Sequence, residues 1–99
     1  MKVAYGMIGK LTAIQGERET LLAILLEAAT AMEQEAGCEA YRVSVSLDDD
    51  AIVVYEVWAS EAAHQQSLAL PVTRRLIDQA KPILAGVERL VTMETKGKH

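Results

Sequence analysis

Ile52-Val53-Val54-Tyr55-Glu56-Val57-Trp58 is the stretch that decides the fold. β-Branched and aromatic residues dominate it, and Asp48-Asp49-Asp50 sets its start. Such a run reads as a strand apolar on both faces, so something must cover each face. Side chains alternate along a strand, so Val54, Glu56 and Trp58 share one face, while Val53, Tyr55 and Val57 share the other. One face offers a carboxylate and an indole; the other is almost purely apolar. Glu56 then requires a partner, a cavity or water, because a carboxylate between covered faces is otherwise costly.

Upstream, Cys38 to Leu47 alternates, with Tyr41, Val43, Val45 and Leu47 on one face and Arg42, Ser44 and Ser46 on the other. That is a second strand, and the acidic triplet turns it into a hairpin with the first. Glu17 to Glu35 reads as helix, since Leu21/Leu22, Leu25, Ala28/Ala29 and Met32 recur at helical spacing. Gly37 suits a left-handed cap after it. Val3 to Ala13 is the first strand; Gly6 and Gly9 within it mark a bulge or a close approach, and Gln15-Gly16 is the turn that follows. Downstream, Ser60 caps a short helix running to about Ala69. Pro71 then opens a third helix over Val72 to Ala80, with Leu76 and Ile77 inward. Pro82 to Gly86 connects to a last strand, Val87 to Glu94, and Thr95 to His99 is a polar tail expected to fray.

The order is βαββαβ with the second helical region broken in two. It predicts a ferredoxin-like α+β fold, a four-stranded antiparallel sheet with helices on one face, in a single domain over residues 1–99. The face carrying Val53, Tyr55 and Val57 is left for a second copy, which predicts a homodimer. A pocket belongs on the other face, with Glu56 and Trp58.

Composition limits the function. With 99 residues the chain holds one core and buries roughly 60–70% of its unfolded surface, so a partner subunit would help it. The net charge of −4 and the scattered basic residues (Lys2, Lys10, Arg18, Arg42, Arg74, Arg75, Lys81, Arg89) offer no basic stripe, which argues against nucleic acid as a partner. Cys38 is the single cysteine, so no internal disulfide or multi-cysteine metal site forms. No signal-type segment opens the chain, and no apolar run approaches the roughly 20 residues of a membrane span. A soluble, cytoplasmic protein without membrane contact is the expectation.

Gly37-Cys38 with Tyr41, then Tyr55-Glu56-Val57-Trp58-Ala59-Ser60-Glu61-Ala62, then Pro82-Ile83-Leu84-Ala85-Gly86 resemble the antibiotic biosynthesis monooxygenase (ABM) domain family. The resemblance runs over nearly the whole chain, and the Tyr55–Ala62 stretch is its most specific part. It implies a dimeric α+β barrel. For characterised members it implies oxidation of quinols, anthrones or similar electron-rich aromatics by O₂ without metal, haem or flavin. The chain also departs from the family pattern. Where members often carry a His after the Glu-Ala pair this chain has Gln66, and the nearby histidine is His64. Ala69-Leu70-Pro71-Val72 replaces the Ser-Pro-His that usually follows. The haem-degrading branch uses an Asn in the first strand, and this chain contains none, with Gly9 nearest. Some quinol-type members place an Asn where Val54 stands.

Each candidate has a plain reading beside the functional one. Trp58 could stack a planar substrate or simply close the core. Glu56 could accept a phenol proton, or pair with Lys10, Arg42 or another cation. His64 could be an acid or base, but its neighbours Gln65 and Gln66 favour a solvated histidine. Tyr41 could line the pocket or pack at a surface. Cys38 reads as an inert thiol. Asp48–Asp50 lacks the glycine and distal Glu of a calcium loop, and Arg74 and Arg75 fit a solvated helix face. Glu56 and His64 are thus the candidate catalytic residues, and Trp58, Tyr41, Val54 and Gln66 the candidate substrate contacts, with no metal or cofactor expected.

Three functions follow: a monooxygenase without cofactor, a small-metabolite binder or isomerase on the same scaffold, and an assembly domain with a filled core. An unfilled cavity beside Trp58 separates the last from the others. O₂ consumption separates the first two.

Overall fold

The computed structural model describes residues 4–97. Lys2, Val3 at the head of the predicted first strand, and Lys98 and His99 at the end of the tail lie outside the described residues. The elements are β1 (Tyr5–Ala13), α1 (Arg18–Met32), β2 (Cys38–Val45), β3 (Ile52–Trp58), α2 (Glu61–Ser67), α3 (Pro71–Ala80) and β4 (Leu84–Glu94), with a 3₁₀ turn over Lys81–Ile83 leading into β4. The sheet order is β2-β3-β1-β4, and each neighbouring pair is antiparallel. This is the ferredoxin-like α+β fold that the element order predicts.

Burial explains the central place of β3. Ile52, Val54 and Trp58 are at most 4% exposed on the face under the helices. Leu21 of α1 and Ala80 of α3 close over Ile52 and Val54, with Leu11, Leu25, Tyr41 and Leu84 packed around them. Cross-strand register sets which side chains meet on that face. Tyr41 and Met7 flank Glu56, and Tyr5 and Cys38 flank Trp58. On the opposite face Tyr55 lies between Arg42 and Ile8, and Val53 between Ser44 and Lys10. Val57 differs from its two companions there. It is only 6% exposed within the single chain, next to Gly6, over which the Met93 side chain reaches.

The local signals map onto defined contacts. Ser60 Oγ accepts the Ala63 N–H at 3.1 Å, the N-cap of α2. Pro71 occupies the first turn of α3. Gly16 holds φ +86°, as the turn after β1 requires. The β1–β4 register slips between Ile8 and Gly9, so Gly9 borders a bulge. In the β2–β3 hairpin Ser46 Oγ accepts the N–H groups of Asp48 and Asp49, and Asp49 Oδ1 accepts that of Ala51 at 2.9 Å. Lys10 reaches across to Asp49 at 2.8 Å. The Lys10 hydrogen bond, then the Ala51 and Ser46 bonds, hold the Asp49 carboxyl down at about 2.

One expectation needs correction. Gly37 is not a left-handed cap. The helix stops at Met32, with Glu33 still right-handed and its N–H bonded to Thr30, and Gly16 is the one positive-φ residue among those described. Gly37 is instead a point of close approach, since a Cβ there would lie 2.9 Å from Ala63 Cβ. At the end of β4 Thr95 N–H donates to Ala4 O at 3.1 Å.

Gly37→Ala should therefore cost about 1–3 kcal/mol by overpacking β2 against α2. Urea unfolding measures it, and Ala63→Gly in the same chain should restore most of the loss. Asp49→Ala should lower the melting temperature at neutral pH, whereas Asp48→Ala, which removes only an exposed side chain, should not. Because the folded carboxyl titrates at about 2, below the roughly 3.9 of an unfolded Asp, its contribution is present above that value and fades as pH falls toward the folded one. The gap between Asp49→Ala and the unaltered protein should close over the same interval.

Candidate functional site

Glu56 and Trp58 lie two residues apart on one strand face, which places the indole against the carboxylate. Trp58 Nε1 donates to Glu56 Oε1 at 3.0 Å. The expected cations are elsewhere, since Lys10 pairs with Asp49 and Arg42 stands beside Tyr55 on the opposite face. The second neighbour of Glu56 is His64, whose Nε2 lies 3.9 Å from the same oxygen, longer than a hydrogen bond.

His64 is the principal surprise. The two glutamines that follow it are exposed, yet the imidazole is 4% exposed. α2 is a single short amphipathic stretch, and the turn that puts Gln65 and Gln66 outside puts His64 inside. The ring sits between Trp58, edge to face with centroids 5.8 Å apart, and Tyr5, tilted at 5.7 Å. Ser67 Oγ donates to the His64 carbonyl at 2.6 Å, which ties the end of α2.

These groups border a cavity of about 190 Å³ between sheet and helices. Glu56, Trp58 and Tyr41 form part of its sheet wall; His64 and Ser67 come from α2; α1 and α3 supply apolar side chains such as Leu25 and Leu76, together with Thr73. A carboxylate and an imidazole thus meet an apolar chamber large enough for a small ring. Such a chamber can orient a planar molecule against Trp58, take a proton from it at Glu56 or His64, and limit water. Burial first, and then the Glu56 charge, push the Tyr41 phenol above its usual range, so it stands in the wall as a neutral hydrogen-bonding group. The same two causes push the Cys38 thiol up, and its Sγ–H contacts the Ala40 carbonyl at 3.5 Å.

Of the predicted site residues, the structure brings Glu56, His64, Trp58 and Tyr41 to one cavity. Val54 is buried in the core cluster instead, and Gln66 is exposed on the outer side of α2. Arg75 bridges to Glu27 at 2.7 Å on the surface. Sequence reasoning missed Tyr5 and Thr73. Tyr5 was within reach, since it stands opposite Trp58 once β1 is paired with β3. The sequence puts Thr73 in the first turn after Pro71, but nothing in it shows that α3 lays this residue along the cavity. Among the described residues no group of three His, Cys, Asp or Glu side chains forms a metal-ligand set, and no helix is long and apolar enough to cross a membrane.

Comparison with known proteins gives a consistent picture. The profile of the family described as antibiotic biosynthesis monooxygenase matches residues 4–79. A candidate antibiotic biosynthesis monooxygenase from Chloroflexus aurantiacus is 38% identical, with TM-score 0.87 over 97% of this chain and 96% of that one. Another candidate, from Deinococcus radiodurans, is 27% identical, with TM-score 0.83 over 96% and 95%. A Pseudomonas aeruginosa protein at 21% identity and TM-score 0.88, over 98% of each chain, shares the fold. No curated protein matches the chain.

The Tyr41 environment has a measurable consequence. Its phenol is held neutral above the ordinary value, so the stability it contributes is present below about pH 10 and is lost as pH rises toward the folded value. Tyrosinate absorbance should show one phenol resisting ionisation until the fold opens. Glu56→Gln should bring that titration down part of the way, as the second of its causes is removed.

Proposed function

The chain belongs to the antibiotic biosynthesis monooxygenase family, and on that premise we propose that it is a cytoplasmic, homodimeric monooxygenase that oxidises a quinol- or anthrone-like aromatic with O₂ and no cofactor. One observation carries the reading: Glu56, Trp58 and buried His64 converge on an apolar cavity. A filled core would have favoured an assembly domain.

The chemistry asks little of the protein beyond binding and one proton transfer. The ring lies against Trp58, and Glu56 or His64 takes its phenolic proton. The phenolate is electron-rich enough to react with O₂, and the apolar walls keep water from competing. For a hydroquinone, one oxygen atom forms a new C–O bond on the ring and the other leaves as water. The product is a hydroxyquinone, and the ring supplies all the electrons. His64 stands next to Glu56, so a proton can pass between them once the substrate or a water bridges the 3.9 Å gap.

The dimer reading rests on the opposite sheet face. Val53 and Tyr55 are half-buried there, and Val91 is 41% exposed. A second copy of the same face would cover all three in an isologous pair. Val57, already buried within the chain, contributes little to such an interface.

Oxygen uptake by the purified protein with a panel of quinols tests the activity. Glu56→Gln should lower kcat by roughly 10²–10⁴-fold if it is the base, with the fold retained. Trp58→Phe should chiefly raise KM. Uptake no faster than in protein-free controls across the panel sinks the monooxygenase reading, and binding without uptake favours a metabolite binder or isomerase. For the dimer, light scattering at micromolar concentration should give twice the chain mass, and Val53→Asp should shift it toward the monomer. A monomeric unaltered protein would overturn that part.

A further inference from the structure

Among the described residues, two buried side-chain polar atoms lack a hydrogen-bond partner: His64 Nδ1 and Thr73 Oγ1. Both residues line the same cavity. Buried polar atoms are nearly always paired, so two orphans on residues that line one chamber point to what the chamber holds. Thr73 is the more informative. A helix threonine ordinarily returns its hydroxyl to a carbonyl of the preceding turn, as Thr30 does to Leu26 O at 3.2 Å. Thr73 stands in the first turn of α3, two residues after Pro71, and the extended backbone of Leu70 interrupts the helical path before it, so no earlier turn of α3 offers a carbonyl for that bond. Its hydroxyl is left without a partner in a wall that is otherwise mostly leucine, isoleucine and alanine.

Volume narrows the occupant further. The cavity measures about 190 Å³, against the roughly 150 Å³ of an engineered apolar cavity that binds benzene. One ring with small polar substituents fits it. Three fused rings carry more than twice the carbon atoms of benzene and exceed that volume, so part of such a ligand would be left outside the cavity.

Resting on the monooxygenase reading above, we infer that the ligand is a one-ring aromatic bearing oxygen at two ends, one held at Glu56 and His64 and the other hydrogen-bonded by Thr73, which is the specificity-determining residue of the site. Glu56 belongs to the sheet and Thr73 to α3, so such a ligand spans the chamber from sheet to helix. The Thr73 hydroxyl can both donate and accept, and so admits a phenol or a carbonyl at that end. A substrate hydroquinone and its oxidised product would both be held.

The test is anaerobic binding, read by calorimetry, of phenol, hydroquinone and anthrone to the unaltered protein, Thr73→Val and Thr73→Ser. The unaltered protein should prefer hydroquinone to phenol by about tenfold, the worth of one well-made hydrogen bond, and should bind anthrone more weakly than either. Thr73→Val should abolish the preference while leaving phenol affinity unchanged, and Thr73→Ser should keep it. The melting temperature of unliganded Thr73→Val should hold or rise, because the change removes an unpaired buried hydroxyl. A fall would mean that the hydroxyl has an internal partner, and would overturn the inference. So would equal losses for phenol and hydroquinone, no binding of either, or anthrone bound as tightly as hydroquinone. Without O₂ present, the two readings fail separately. Selective binding with no aerobic uptake removes the monooxygenase reading alone. Uptake with one-ring and three-ring substrates alike, untouched by Thr73→Val, removes this inference alone.

Discussion

The hydrogen bond from Trp58 Nε1 to Glu56 Oε1 governs the rest of the site. A carboxylate under a layer of helices must be compensated, and a buried indole N–H must find an acceptor. Two residues on one strand face meet both needs without a cation. The indole is thereby pinned across the sheet, where its edge faces His64, and one carboxylate oxygen is directed toward the imidazole. Had Glu56 paired with Lys10 or Arg42, the carboxylate would have turned out of the chamber and the indole would have been free to fill it.

The helical layer completes the chamber from separate directions. α1 covers the sheet with leucines, α2 inserts His64 at one side, and α3 closes the roof near Thr73. Gly37 permits the approach of α2, since its missing Cβ is where Ala63 packs. The break between α2 and α3 matters for the same reason. Pro71 starts α3 in a new direction, which allows α2 to present a histidine and α3 a threonine to one space. A single continuous helix could not have angled both toward it.

The candidate site was legible to the extent that it depends on strand parity. The period of two put Glu56 and Trp58 on one face and the apolar trio on the other, and Tyr41 joined the cavity through its register opposite Glu56. Parity also misled, because it put Val54 on the site's face without showing that Leu21 and Ala80 bury it in the core. Helical residues were harder to place. His64 sits in a polar heptad of sequence, Glu61 to Ser67, whose composition reads as solvent-facing, and a helix of two turns has too few residues for its inner face to be told from composition. Gln66 was favoured by family pattern and lies outside.

Local chemistry in the sequence determined the elements. Ser60 accepts a nearby N–H, Gly16 takes the left-handed turn, Pro71 begins a helix, and Asp49 with Ser46 shapes the hairpin; each acts within a few residues of itself. The β-branched residues Ile52, Val53, Val54 and Val57 suited β3 to an inner place in the sheet. What only the tertiary structure decided are the quantities that depend on how far apart those elements come to rest. They include the partner of Glu56, the burial of His64, the volume left open beneath α1 and α3, and the unpaired hydroxyl of Thr73. A cavity is a small mismatch between packed surfaces drawn from distant parts of the chain, so no local stretch of sequence encodes it.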